Sequence, residues 1–254
     1  MKVSIITPTI RPDSLAIVHK SLMSQGFADW EWLIGSSFDP KIKDAKWIKD
    51  DFEGGFWSLN RMYNKLVSRS SGEIIITWQD WIYAKPDAVE KFVENVIKTN
   101  GVVSGVGDQF SRLNKWGKPE MKIWSDPRKT NEYGSFYECN WNDAEFNFAA
   151  FPKELFEKVG GFDEGLDFLG VGGDQLQLCD RLNSIGARFY LDQTNESYTL
   201  RHDRSDFGGQ KEWDSKHVLF VRGKSGLSLY DERKKELIGS DSWPVIKNKD
   251  KKYD

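Results

Sequence analysis

Gly72-Glu-Ile-Ile-Ile-Thr-Trp-Gln-Asp-Trp-Ile-Tyr-Ala-Lys-Pro86 is the stretch that decides the fold. Ile74 to Ile76 is a short run of β-branched apolar residues, the pattern of a strand covered on both faces. Asp80 stands at the carboxyl end of that run, between Gln79 and Trp81, and Pro86 is placed to open a helix. The residues beyond agree, because Val89, Phe92, Val93 and Val96 fall on one helical face. In open α/β sheets, ligands bind outside the carboxyl ends of strands. A lone carboxylate in that position is placed to hold a metal ion or a phosphate-bearing substrate, and equally to cap a turn.

Upstream, Met1 to Arg11 reads as a strand ending in a polar turn. A helix with Leu15, Val18 and Leu22 on one face follows and stops at Gly26. Trp30-Glu-Trp-Leu-Ile34 is a second strand, leading into the loop Gly35-Ser-Ser-Phe-Asp39. Leu59, Met62, Tyr63 and Leu66 mark a further helical stripe before the Gly72 strand. Downstream, strand and helix alternate to about Val106. Residues 107–145, with Trp116, Trp124 and Trp141, are expected to form irregular strands and loops beside a cleft. Periodicity resumes at Phe146 to Phe151, with helices expected from Pro152 to Val159 and from Asp174 to Ile185, and a strand from Tyr198 to His202. From about Arg204 the chain is charged and less periodic, as a C-terminal helix and tail packed over the site would be.

A chain of 254 residues suits one α/β domain with a large core. Its net charge of -3 gives no whole-molecule field for nucleic acid or a membrane surface. Cys139 and Cys179 make neither a disulfide framework nor a zinc set, which leads us to expect reduced thiols in a cytoplasmic protein. The apolar run after Met1 is too short for a signal peptide, and no stretch reaches the length of a transmembrane helix. A lipid-borne substrate would therefore be approached from the membrane surface.

In order and spacing, these pieces resemble the nucleotide-sugar domain of family 2 glycosyltransferases. The resemblance is carried by Val3-Ser-Ile-Ile-Thr-Pro-Thr9, Ser21-Leu-Met-Ser-Gln25, Ser37-Phe-Asp39, Leu59-Asn60, Gly72-Glu73 through Pro86, Val159-Gly-Gly-Phe-Asp-Glu164, and Gly172-Gly-Asp-Gln175 with Arg181. It implies the A-type glycosyltransferase fold: a Rossmann-like mixed central sheet flanked by helices, in a single domain over residues 1–205. Residues 1–106 would form the nucleotide-sugar-binding half and residues 107–205 the acceptor and catalytic half. Residues 206–254 would be a helical or lid-like extension. The implied activity is transfer of a sugar from a nucleoside-diphosphate sugar, UDP favoured, to a hydroxyl on a carbohydrate, glycolipid or other acceptor, with inversion.

The chemistry explains the residue types. Charge builds on the leaving diphosphate, and a divalent cation, Mn2+ or Mg2+, held by carboxylate oxygens would stabilise it. Relatives supply an Asp-x-Asp motif there, whereas ungapped alignment on Gly72 and Pro86 gives Gln79, Asp80 and Trp81. Asp80 is thus the expected metal ligand, with His202 as the second. The resemblance also implies a catalytic base at the second acidic position of a Gly-Gly-Glu-Asp motif. Here that position holds Gln175, which cannot take a proton. Asp174 either shifts into the role or binds acceptor hydroxyls. Asp163, Glu164 and Asp167 are nearby alternatives, the first two more often supporting the loop in relatives. Thr7, Thr9 and Arg11 match the nucleotide-contacting turn, and Arg11 is suited to a phosphate. Gly35-Ser36 replaces the aspartate that reads the base in relatives, so that task would pass to Ser36, Ser37, Asp39 or backbone groups. Asn60 matches a position near the ribose and base, though Ser58 and Asn60 also suit a helix start. Gln79, at the first position of the Asp-x-Asp motif, would be a further binding residue for the donor.

Other classes fit less well. No Gly-x-Gly-x-x-Gly follows the first strand, against a dinucleotide-dependent dehydrogenase, and a nucleotidyltransferase would want more basic residues than Arg11 there. The missing acidic positions leave a non-catalytic sugar- or nucleotide-binding protein as the main alternative. A transferase acting on nucleic acid would need a basic groove.

Overall fold

The computed structural model describes residues 2–50, 58–113, 118–168 and 174–200. His202 and the C-terminal extension expected over the site lie outside them, as do Trp116 and the glycines of the 170–173 loop.

The strands are β1 (Val3–Pro8), β2 (Trp30–Ser36), β3 (Ala45–Lys49), β4 (Ile74–Trp78), β5 (Ile82–Ala84), β6 (Val102–Leu113), β7 (Pro119–Ser125), β8 (Phe136–Cys139), β9 (Phe148–Pro152) and β10 (Phe189–Leu200). The helices are α1 (Leu15–Met23), α2 (Leu59–Arg69), α3 (Ala88–Thr99), α4 (Lys153–Lys158) and α5 (Asp174–Ser184). The strands form one sheet in the order β3-β2-β1-β4-β9-β6-β10-β5, with β7 paired to β6 and β8 to β10. The first four in that order are parallel, and β9 enters antiparallel between β4 and β6.

Alternation along the central strands sorts the core onto the two faces. Val3, Ile5, Trp32, Ile34, Ile74 and Ile76 pack with α1 and α3. Ile6, Leu33 and Ile75 point the other way, into α2, α4 and α5. The apolar stripes read from the sequence for α1, α2 and α3 are the buried faces of those helices. Asn100, in the left-handed region at φ 49°, ends α3 in the usual C-terminal manner.

At the amino ends of β1, β2 and β4, one buried carboxylate ties three segments. Glu31 accepts from the Ser4 hydroxyl at 2.6 Å, the Ser71 N–H at 2.6 Å and the Ser71 hydroxyl at 2.7 Å, and it pairs with Lys46. Burial alone would raise its pKa, but these donors together hold it down at about 2. With one end of the parallel strands pinned in this way, the loops at the opposite, carboxyl end carry the polar residues singled out by sequence.

Residues 107–145 are more regular than expected. Long strand β6 runs through Leu113 and pairs with β7, while β8 pairs with the equally long β10. The strand expected from Tyr198 begins nine residues earlier, at Phe189. Among the described residues no helix is long and apolar enough to cross a membrane. Cys179 is fully buried and Cys139 half-buried; burial pushes the Cys139 thiol up to about 11 and the Cys179 thiol higher still, so both are unreactive at neutral pH.

Candidate active site

β1 and β4 are parallel neighbours, so their carboxyl ends emerge side by side. The chain leaving β1 is held by the Thr9 N–H to the Gly35 carbonyl, 2.8 Å. It then brings Thr9 and Arg11 against Asp80, which sits on the turn between β4 and β5. Arg11 Nη1 lies 2.8 Å from Asp80 Oδ1 and 2.9 Å from Oδ2. The Thr9 hydroxyl donates to Oδ2 at 2.7 Å and accepts the Arg11 N–H at 2.9 Å. The next residue, Trp81, has φ 65°, a conformation that a large side chain adopts only when its surroundings force it. Thr7 serves the frame instead. Its fully buried hydroxyl donates to the Trp78 carbonyl at 2.7 Å and accepts from the Trp32 indole at 2.9 Å, so its side chain has nothing left for a nucleotide.

Of the two expected metal ligands, His202 lies outside the described residues and Asp80 is paired with Arg11. Both Asp80 oxygens face a guanidinium, and among the described residues no three His, Cys, Asp or Glu side chains gather to hold an ion. Positive charge stands beside Asp80 already, on Arg11.

Gln79 donates its N–H to the Asn147 carbonyl at 3.0 Å and its side-chain amide to the Tyr63 hydroxyl at 3.1 Å. Tyr63, fully buried on α2, has its pKa driven up by desolvation and, to a lesser degree, by the charges of Asp174 and Asp80. Its hydroxyl is therefore within electrostatic reach of both carboxylates.

Asp174 is the first residue of α5. Burial raises its pKa, offset by its own N–H and that of Gln175 at the helix start. Gln175 is locked at both ends of its amide: it accepts the Phe146 N–H at 2.8 Å and donates to Asn147 Oδ1 at 2.9 Å. The residue at the position of the expected base is thus a brace, and Asp174 is the carboxylate beside it. Asn147, just before β9, holds Gln79 through its carbonyl and Gln175 through its side chain, joining the two halves of the site.

Asp167 has a different task. Its two oxygens accept the N–H groups of Asn60 and Arg61 at 2.9 and 3.0 Å, capping α2 from more than a hundred residues away. Desolvation, with minor help from Asp174 and Glu164, pushes its pKa up to about 7 despite those two donors. Ser58 and Asn60, which suit a helix start in sequence, do not cap with their side chains. The Ser58 hydroxyl and the Asn60 amide oxygen are instead buried without a hydrogen-bond partner among the described residues. Buried polar atoms in that condition mark a place for a ligand or ordered water. Ser37 and Asp39 lie exposed on the loop after β2, Asp39 accepting the Lys41 N–H at 2.8 Å, and Ser36 is buried and bonded to the Phe38 carbonyl. Asp163 and Glu164 support the loop: Asp163 accepts from Gln177 at 2.9 Å and Glu164 from Asn64 at 2.8 Å.

Sequence reasoning missed Tyr63, read only as an apolar helix residue, and Asn147, on which it placed no weight. A polar residue just ahead of the Phe148 run was the available signal for Asn147.

The fold is the A-type glycosyltransferase fold. The crystal structure of S. aureus TarS 1-349 superposes with a TM-score of 0.60 over 94% of this chain and 73% of that chain, at 11% sequence identity. The O-antigen biosynthesis protein RfbC of Myxococcus xanthus is 26% identical over 237 residues, 80% of this chain. The chain spans only 17% of the length of that relative. No family model matches the chain. The first likeness bears on the fold, and the second is a weak sequence similarity that accords with the family 2 resemblance.

Proposed function

We propose that the protein is a glycosyltransferase that moves a sugar from a nucleoside-diphosphate sugar, UDP favoured, to a hydroxyl acceptor with inversion. The observation that carries this reading is that Asn147 ties the turn bearing Asp80, through Gln79, to the start of the helix bearing Asp174, through Gln175, so that two carboxylates in distinct settings share one frame. Arg11 supplies positive charge where the leaving diphosphate would build negative charge. At the amino end of α2, the Asn60 amide oxygen and the Ser58 hydroxyl, unpartnered among the described residues, add neutral contacts to the nucleotide. Asp174, its pKa raised by burial, is suited to accept the acceptor's proton as the new bond forms. A divalent cation is the other group that would stabilise the charge on the leaving diphosphate; of its expected ligands, Asp80 is paired with Arg11 and His202 lies outside the described residues.

The test is release of nucleoside diphosphate from a panel of nucleotide sugars, with manganese and with a chelator. Release from one donor supports a transferase and names its sugar. No release, together with no thermal stabilisation by any donor, would overturn the reading. Stabilisation by a donor without release, even with acceptors supplied, would leave a binding protein built on the same fold.

A further inference from the structure

Ile82, Thr199, Gln109 and Trp124 are successive register partners across β5, β10, β6 and β7. They lie along a cleft of about 290 Å³. In the neighbouring row Gly107 faces Ser197, and a Cβ on Gly107 would come within 2.8 Å of the Ser197 hydroxyl, so the missing side chain is what keeps the floor hollow. Asn147 lines the same cleft, which therefore shares a wall with both Gln79 and Gln175.

Two properties of the lining define what it can hold. First, Trp124 is 51% exposed, an indole face left open beside a polar hollow. Around it the Gln109 amide, the Thr199 hydroxyl and the Asn147 Nδ2 have no hydrogen-bond partner among the described residues. Flat C–H faces stack on such a ring, and hydroxyls need such neighbours. Second, among the described residues the lining has no cation to spare. Its guanidinium, Arg128, is spent on both Asp126 oxygens and on the Asp143 and Gly105 carbonyls. Its remaining charges are the carboxylates Asp108 and Glu145, Asp108 paired with Lys129 at 3.0 Å and Glu145 near Arg128 at 3.4 Å. A phosphate entering here would meet carboxylates and no donor fork.

We propose that this cleft binds the acceptor, and that the acceptor is an uncharged hydroxylated sugar ring stacked on Trp124, with phosphate-bearing acceptors excluded. This rests on the transferase reading above and adds the class of its second substrate. Gln109, Thr199 and Asn147 serve as ligands to ring hydroxyls, and the ring's reacting hydroxyl points toward Asn147, which is bonded to the chain neighbours of Asp80 and Asp174, Gln79 and Gln175.

The test uses the full chain on an immobilised panel of neutral oligosaccharides (maltotriose, mannotriose, chitotriose) and of mannose 6-phosphate and sialylated oligosaccharides. Trp124→Ala and Trp124→Phe are run beside it, and thermal stabilisation by UDP and GDP is measured on the same samples. We expect binding to neutral glycans alone, at least tenfold weaker in Trp124→Ala and largely retained in Trp124→Phe, with nucleotide stabilisation unchanged. Preference for the anionic glycans, equal binding by Trp124→Ala, or no glycan binding at all overturns the proposal. Stabilisation by UDP or GDP in that last case leaves the donor site standing. Glycan binding without stabilisation by any nucleotide would keep the cleft as a sugar site and remove the transferase reading instead.

Discussion

The Arg11 guanidinium and the Asp80 carboxylate meet across the ends of two adjacent parallel strands, 2.8 Å apart at the closest approach, with both side chains largely shielded from water. Neither partner is a bystander to the other: removing one leaves a partly buried charge uncompensated. Arg11→Ala and Asp80→Asn should each lower donor turnover about 100-fold, the scale of losing one electrostatic contact to a leaving group. The double variant should be little worse than the poorer single one. Turnover of the unaltered protein should survive a chelator. Chelator-sensitive release that is indifferent to Arg11→Ala would transfer the charge-stabilising role from Arg11 to a metal ion.

Asp174→Asn should lower kcat by roughly 100-fold or more, in the range of a lost general base, with little change in donor affinity. Burial raises the pKa of this carboxyl, so the acid limb of the kcat profile should lie above the ordinary carboxylate range and vanish in the variant. Equal losses in kcat and in donor binding would make Asp174 a binding residue only.

Asp167 makes a separate prediction about stability. Its pKa is about 7 in the folded protein, above its unfolded value near 3.8. Between those values the folded state binds the extra proton, so its contribution to stability declines as pH rises from about 4 to 7. Measured by denaturant titration, the stability of the unaltered protein relative to Asp167→Asn should fall across that window and flatten above it. A difference independent of pH would show that Asp167 does not titrate there.

Gly72 tests the packing at the other end of the sheet. A Cβ on it would lie 2.5 Å from the Ser4 N and 2.7 Å from the Val3 carbonyl carbon, backbone atoms that cannot swing aside. Gly72→Ala should destabilise the protein by about 1–3 kcal/mol, as overpacking does, without moving the donor's KM. A stability change smaller than about 0.5 kcal/mol would mean that the β1 backbone yields, since that is the range of an unremarkable surface substitution.

What the sequence disclosed was local. Ile74–Ile76, the Leu15/Val18/Leu22 stripe and the Val89–Val96 stripe show their burial through a period of two or of 3.6, and each is an element of the structure. The turn at Thr9 and Arg11 and the aspartate at position 80 could be singled out separately. Their direct contact could not, because it joins residues 69 positions apart. The same holds for Asp167 capping α2, and for Gln175, whose place in a motif suggested chemistry while its hydrogen bonds make it a brace. Weak alternation hid β7 and β8, whose outward residues are exposed and mixed in character. The partner of β4 was equally invisible, since nothing in Ile74–Trp78 announces an antiparallel neighbour from much later in the chain.

That late partner matters while the protein is being made. Thr77 and Ala149 pair across β4 and β9 at a separation of 72 residues, so the ribosome completes β4, and then β6, long before the strand that fits between them exists. Through that interval the nascent chain carries two bare strand edges of apolar sequence, the condition that invites wrong pairing between neighbouring chains. The boundary near residue 106, expected to separate two halves of the site, does not divide the folding of the sheet. A fragment ending there would be short of the strand that closes its own edge, and shielding by a chaperone or swift elongation through Pro152 is what the growing chain would need.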